Sequence, residues 1–230
     1  TGLPGLKKVK IDGQRFADGG LAENVPLTML RDRGYRRIVA IDLGEHVVLK
    51  SPLLDNLQLT YIHDRQDLGA MLDISPEVLQ HNRRLGYLDT MKTFGRLQGD
   101  FYTFDLSEHH RLVQRFGAEN LRGLEQAAEA YGIDRLPIYT ADTFIDLIRE
   151  RRQSFEEDYQ HLREALQVDH KIRSIMSGRL KMLDMIPPMR LAFLMEMTAK
   201  ARNSGRLQRL PMHLLGQFDL AVQALQALDK

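Results

Sequence analysis

Phe16-Ala17-Asp18-Gly19-Gly20-Leu21-Ala22-Glu23-Asn24-Val25-Pro26 is the stretch on which the reading of this chain turns. Just upstream, Val9-Lys10-Ile11 and Gln14-Arg15-Phe16 flank Asp12-Gly13. A two-residue Asp-Gly between short runs predicts a β-hairpin, because glycine takes positive φ without steric cost. The chain leaves that hairpin directly into Asp18. An acid at the end of a strand, followed by two glycines, sits on a tight turn that other backbone can approach closely. Such a carboxylate can accept hydrogen bonds from turn N–H groups, stay ionised and point into a cleft at the sheet edge. Downstream, Asn24 is a candidate helix cap, Pro26 suits a first helical position, and Leu27 to Arg33 continue the helix until Gly34 stops it. Arg37-Ile38-Val39-Ala40-Ile41-Asp42-Leu43 then reads as a buried parallel strand, and strand-helix-strand alternation predicts an α/β layer.

Further along, Gln58 to His63 alternates polar with apolar, β-branched and aromatic residues, as a strand nearer an edge would. Ser75-Pro76-Glu77-Val78 opens a helix with a cap, a proline at the first position and an acid at the positive end of the dipole. Its apolar positions, Leu85, Leu88 and Met91, keep helical spacing to about residue 98. After Gly99 the character changes. Amphipathic helical stretches are predicted at about 119 to 131, 141 to 166, 168 to 183, 189 to 202 and 212 to 228, separated by Gly132, Pro137, Pro187-Pro188, Gly205 and Pro211. Two domains are expected, an α/β portion over 1–100 and an all-helical one over 101–230, with the boundary between 99 and 105.

At this point the sequence resembles a known family. The pattern D-G-G-x-x-x-N-x-P from Asp18 to Pro26, followed by a short helix and a strand, resembles the patatin-like phospholipases. Gly86-Tyr87-Leu88-Asp89-Thr90 resembles a G-Y-x-D-T segment of their bacterial members. The resemblance covers about residues 10 to 100 and implies the C-terminal part of a patatin-like α/β layer. It implies a serine acyl hydrolase with a Ser-Asp dyad, in which Asp18 orients and deprotonates the serine while Gly19, Gly20, Asn24 and Pro26 shape its loop. The expected substrate is a lipid or small ester, and no metal or cofactor is implied.

The other half of that dyad is not in this sequence. No G-x-S-x-G occurs, and none of the serines at 51, 75, 107, 154, 174, 177 and 204 has the flanking glycines that project a nucleophile from a strand-to-helix elbow. An aspartate acts on a serine only within hydrogen-bond reach, so the chain alone is expected to be inactive. The serine is expected on a missing upstream segment or on a second chain, and Thr1 reads as an internal point of a longer protein. The alternative expectation is a non-catalytic module that binds a partner or a membrane through its helical half.

Composition narrows the field further. A chain of 230 residues with 43% hydrophobic and 27% charged residues is that of an ordinary globular protein. The net charge of +1, with basic residues dispersed along the chain, argues against a nucleic-acid partner. Without cysteine there is no disulfide, thiolate metal site or cysteine nucleophile, which fits the cytoplasm. No apolar run is long enough for a bilayer, although Met189 to Leu194 could touch a membrane surface. Self-association is compatible with either reading. His46, His63-Asp64 and Asp67 or Asp73 superficially resemble a phosphohydrolase metal set but sit in strand and loop, and Glu108-His109-His110 lacks the spacing for one helix face. The methionines around Pro187-Pro188 are expected to pack a core.

Overall fold

The computed structural model describes residues 9–16, 23, 25–43, 56–64, 68, 74–165, 190–203 and 212–229. The protein is mixed α/β, and it divides into two compact units, Thr1–Gly95 and Arg96–Lys230.

The first unit opens on the hairpin β1 (Val9–Ile11) and β2 (Gln14–Phe16), antiparallel with Ile11 opposite Gln14. Asp12 and Gly13 both have positive φ, 51° and 80°. Two left-handed residues in a two-residue loop make a type I′ turn, whose twist matches that of the strands. Helix α1 (Leu27–Asp32) follows. Its end is closed by Gly34 at φ 89°, with the Tyr35 amide donating to the Leu30 carbonyl at 3.1 Å and the Gly34 amide to Arg31 at 2.9 Å. That is a Schellman closure, and it requires the left-handed glycine. The chain turns at once into β3 (Arg37–Asp42), which pairs in parallel with β4 (Gln58–His63), Ala40 opposite Tyr61 and Asp42 opposite His63.

One face of this sheet carries Ile38 and Ala40, packed with Val25 and Leu27 of the α1 segment and with Leu59 and Tyr61 of β4. The opposite face differs from the sequence expectation. β3 is not buried on both sides, since Val39 and Ile41 remain 59% and 65% exposed. Helix α2 (Pro76–Thr93) packs along β4 and leaves the outward side of β3 open. Ser75 stands at the N-cap position of α2 with Pro76 at its first turn, and Gly95 at φ 66° stops the helix earlier than residue 98.

The second unit contains α3 (Leu106–Phe116), α4 (Ala118–Ala130), α5 (Ala141–Ala165), α6 (Arg190–Asn203) and α7 (Met212–Leu228). The stretch predicted at 168 to 183 lies outside the described residues. The expectation of an all-helical region needs correction, because β5 (Thr103–Phe104) pairs in parallel with β6 (Ile138–Tyr139). Two-residue strands are too short to show a period, so the sequence concealed them. The unit begins before the expected boundary for a physical reason. Gln98 and Phe104 exchange backbone hydrogen bonds at 3.0 and 2.9 Å. The buried carboxylate of Glu125 accepts the amides of Asp100, Phe101 and Tyr102 at 2.9, 2.6 and 2.9 Å. Those contacts tie residues 98–102 to α4.

The core centres on Phe144, whose ring lies 5.0 Å from Phe104, 5.1 Å from Tyr102 and 5.7 Å from Tyr139, so that β5, β6 and α5 meet on one aromatic cluster. α6 is buried on every side from Ala192 to Ala199, including Met195 and Met197. A helix covered all round is a central core helix. Ala192, Phe193 and Leu194, from the segment weighed as a membrane contact, are therefore interior. Met176, Met182, Met185 and Met189 lie outside the described residues.

Candidate functional site

Asp18, Gly19, Gly20 and Asn24, the residues singled out by the sequence, lie outside the described residues. Their setting is described on both sides. The chain leaves β2 at Phe16 and re-enters at Glu23 and Val25 before α1. Glu23 accepts the Thr28 amide at 2.9 Å and the Thr28 hydroxyl at 2.8 Å. A carboxylate here satisfies one of the open N–H groups of the first turn and faces the positive end of the helix dipole. Among the described residues, this acid is an acceptor at the start of α1.

Because Arg33 to Arg36 turn the chain directly from the end of α1 into the start of β3, the other end of α1 points toward the carboxyl side of the sheet. Val25 and Leu27 accordingly pack with Ala40 and Ile38. In open α/β sheets the carboxyl ends of the strands are where ligands are held. At that end the apolar face of β3 and β4 gives way to Asp42, Tyr61 and His63. Asp42 is buried at 4% exposure and accepts a short hydrogen bond from the Tyr61 hydroxyl. The His63 ring lies 5.9 Å from that of Tyr61, and its Nδ1 is 2.9 Å from the carbonyl oxygen of Asp64. A carbonyl only accepts, so Nδ1 is the donor in this contact.

What the structure shows at this end is hydrogen bonding among Asp42, Tyr61 and His63 with its neighbouring backbone. His46, Asp67 and Asp73 lie outside the described residues, and among the described residues no three histidines or acids are grouped to hold a metal. Comparison with known protein families, with curated proteins and with solved structures finds no match.

Sequence reading named His63 only as a doubtful metal ligand and missed its association with Tyr61 and Asp42. The available signal was the parallel register itself. Two adjacent parallel strands that both end on polar residues place those residues side by side. Ser75, the described serine nearest in sequence, stands at the N-cap position of α2. Glu108 accepts the Ala141 amide at 2.7 Å and caps α5, with Arg111 bridging it to Asp142.

Proposed function

We propose that this chain supplies the aspartate of a Ser-Asp acyl hydrolase of the patatin-like type, acting on carboxylic esters of lipids or small alcohols. Asp18 takes the proton of the serine hydroxyl as that oxygen attacks the ester carbonyl, and returns it to the departing alcohol. The serine comes from polypeptide outside this sequence.

The observation that carries this reading is the place of the Asp18-Gly19-Gly20 to Pro26 motif in the chain. It stands between a hairpin and a helix that feeds a parallel strand, with its downstream end at the carboxyl side of that strand. Asp18 is five residues from Glu23, a span of at most about 17 Å. The open side of β3 supports the reading as well. Parallel sheets are generally covered on both faces, and Val39 and Ile41 offer apolar surface to a further layer.

The test is hydrolysis of short-chain esters by the parent polypeptide and by its Asp18→Asn variant. Loss of a positioned base is expected to lower kcat by roughly 10²- to 10⁴-fold. Undiminished turnover removes Asp18 from the mechanism. The exposed outward face of β3 equally suits a second reading, a non-catalytic module that uses this face for a protein partner. Under that reading the parent hydrolyses no ester, and Ile41→Lys abolishes partner capture while leaving the chain folded.

A further inference from the structure

The second unit contains a cleft of about 420 Å³ lined by α5, α6 and, at the end of α7, Leu228 and Asp229. Arg149, Arg152, Gln153 and Glu156 line it from α5, and Glu196, Ala199 and Lys200 from α6. The spacings i, i+3, i+4, i+7 on one helix and i, i+3, i+4 on the other turn each set toward one face. Its size lies within the range of small-molecule pockets, and seven of its nine lining residues are charged or polar. Ala199 and Leu228 are the apolar contributions. An acyl chain would strand the charged lining without water, so this is not a lipid-tail site.

The charges are balanced in sign. Arg149, Arg152 and Lys200 face Glu156, Glu196 and Asp229. A ligand with a single net charge would meet like charges in the same cleft, whereas one carrying both signs finds a partner for each.

The floor has unspent capacity of both kinds. Glu196 is 3% exposed, and its Oε1 receives both the Tyr131 hydroxyl and, at 3.4 Å, Nε of Arg152. Its Oε2 has no partner among the described residues. Arg152 spends Nη1 on Asp229, at 2.8 and 3.0 Å, while its Nη2 has no partner among the described residues. One carboxylate oxygen of the largely buried Glu196 and one guanidinium nitrogen of Arg152, with two hydrogens, are thus left for a ligand. At the mouth, Arg149 is held by a single 3.5 Å contact to Asp146, its own neighbour on α5. It is available to join Arg152 on an oxyanion.

We propose that this cleft binds a small amino-carboxylate zwitterion, its ammonium on Glu196 and its carboxylate on Arg152 and Arg149. Carboxylate-guanidinium pairing is charge-assisted and directional, and the buried Glu196 gains the cation that its second oxygen lacks.

The test is calorimetric titration of the 230-residue chain with glycine and with 4-aminobutanoate, beside butanoate and butylammonium, which each keep one charge. Saturable binding of at least one zwitterion is expected, with the single-charge analogues weaker by about tenfold or more. Arg149→Gln, an exposed change that leaves the bundle intact, is expected to weaken the zwitterion and butanoate while sparing butylammonium. Glu196→Gln should act in the opposite sense, with the folded state checked by circular dichroism. Absence of saturation by both zwitterions at millimolar concentration overturns the proposal, as does equal binding of butanoate or an unchanged affinity in Arg149→Gln.

Discussion

Tyr131 donates its phenolic hydrogen to the carboxylate of Glu196, sixty-five residues further along the chain, and so ties the end of α4 to the buried α6. Burial first, and the adjacent Glu196 carboxylate second, hold the Tyr131 pKa well above its ordinary value. The phenol therefore remains a donor at any ordinary pH. With Arg152 as its third member, the group joins α4, α5 and α6, and through Asp229 it reaches the end of α7.

Tyr131→Phe keeps the ring and its packing near Phe155 but removes the one hydroxyl donor to a buried anion. A hydrogen bond to a charged group contributes about 1.5–3 kcal/mol, so a loss of that size is expected. Urea unfolding followed by far-ultraviolet circular dichroism measures it. A midpoint unchanged from the parent chain would mean that water replaces the hydroxyl at Glu196.

Gly123 and Gly86 are both helical glycines with opposite surroundings. A Cβ on Gly123 would fall 2.2 Å from the Leu220 carbonyl oxygen and 2.6 Å from the Ala224 Cβ, so α4 and α7 approach through the missing side chain. A Cβ on Gly86 meets nothing within 4 Å. Gly123→Ala should force the two helices apart and destabilise by about 1–3 kcal/mol despite the better helix former. Gly86→Ala in exposed α2 should stabilise by about 0.5–1 kcal/mol. Thermal unfolding of the two variants side by side reads the contrast. Equal signs would show that α4 and α7 are not in contact at this point.

What the sequence revealed and what it hid follow the same physical division. Asp12-Gly13, Gly34 and Ser75-Pro76 were legible because each acts within a few residues, through a positive φ or a cap. Burial of β3 was misread because its outward residues, Val39 and Ile41, are as apolar as its inward ones, so composition cannot show that one side lacks cover. Pairing of Thr103–Phe104 with Ile138–Tyr139 depends on contacts more than thirty residues apart and carries no local period. The Tyr131–Glu196 bond, sixty-five residues apart, was invisible for the same reason. Of the candidate residues, Asp18, Gly19, Gly20 and Asn24 lie outside the described residues, while the adjacency of Asp42 and His63 emerged only from the register of β3 on β4.

Glu125 offers a third test of the second unit. Its carboxylate gathers three consecutive amides, from Asp100 to Tyr102, next to Gly99 at φ 111°, where a Cβ would meet the Tyr102 carbonyl oxygen at 2.3 Å. Glu125→Ala leaves those amides without their acceptor, at about 1–3 kcal/mol for a buried orphaned group. Amide hydrogen exchange at Phe101 and Tyr102 should accelerate together with the loss of stability. Protection retained at both amides would show that another acceptor serves the turn.

Acid should act on the start of α3 in two steps. Partial burial, and secondarily the neighbouring His110, depress the His109 pKa below its ordinary 6.5. The Ala141 amide first, with Arg111 adding to it, depresses that of Glu108 below 4.5. In both cases the unfolded chain binds the proton more readily than the folded one, so stability rises with pH through each window. The His109 contribution is complete above about 6.5 and fades as pH falls through its lower folded value, whereas the Glu108 contribution is complete above about 4.5 and fades below it. Urea midpoints measured from about pH 8 down to about pH 3 should therefore decline in two stages. His109→Gln is expected to flatten the upper stage, and Glu108→Gln the lower one. A decline unaltered by either variant would place the acid sensitivity elsewhere and remove both groups from the account.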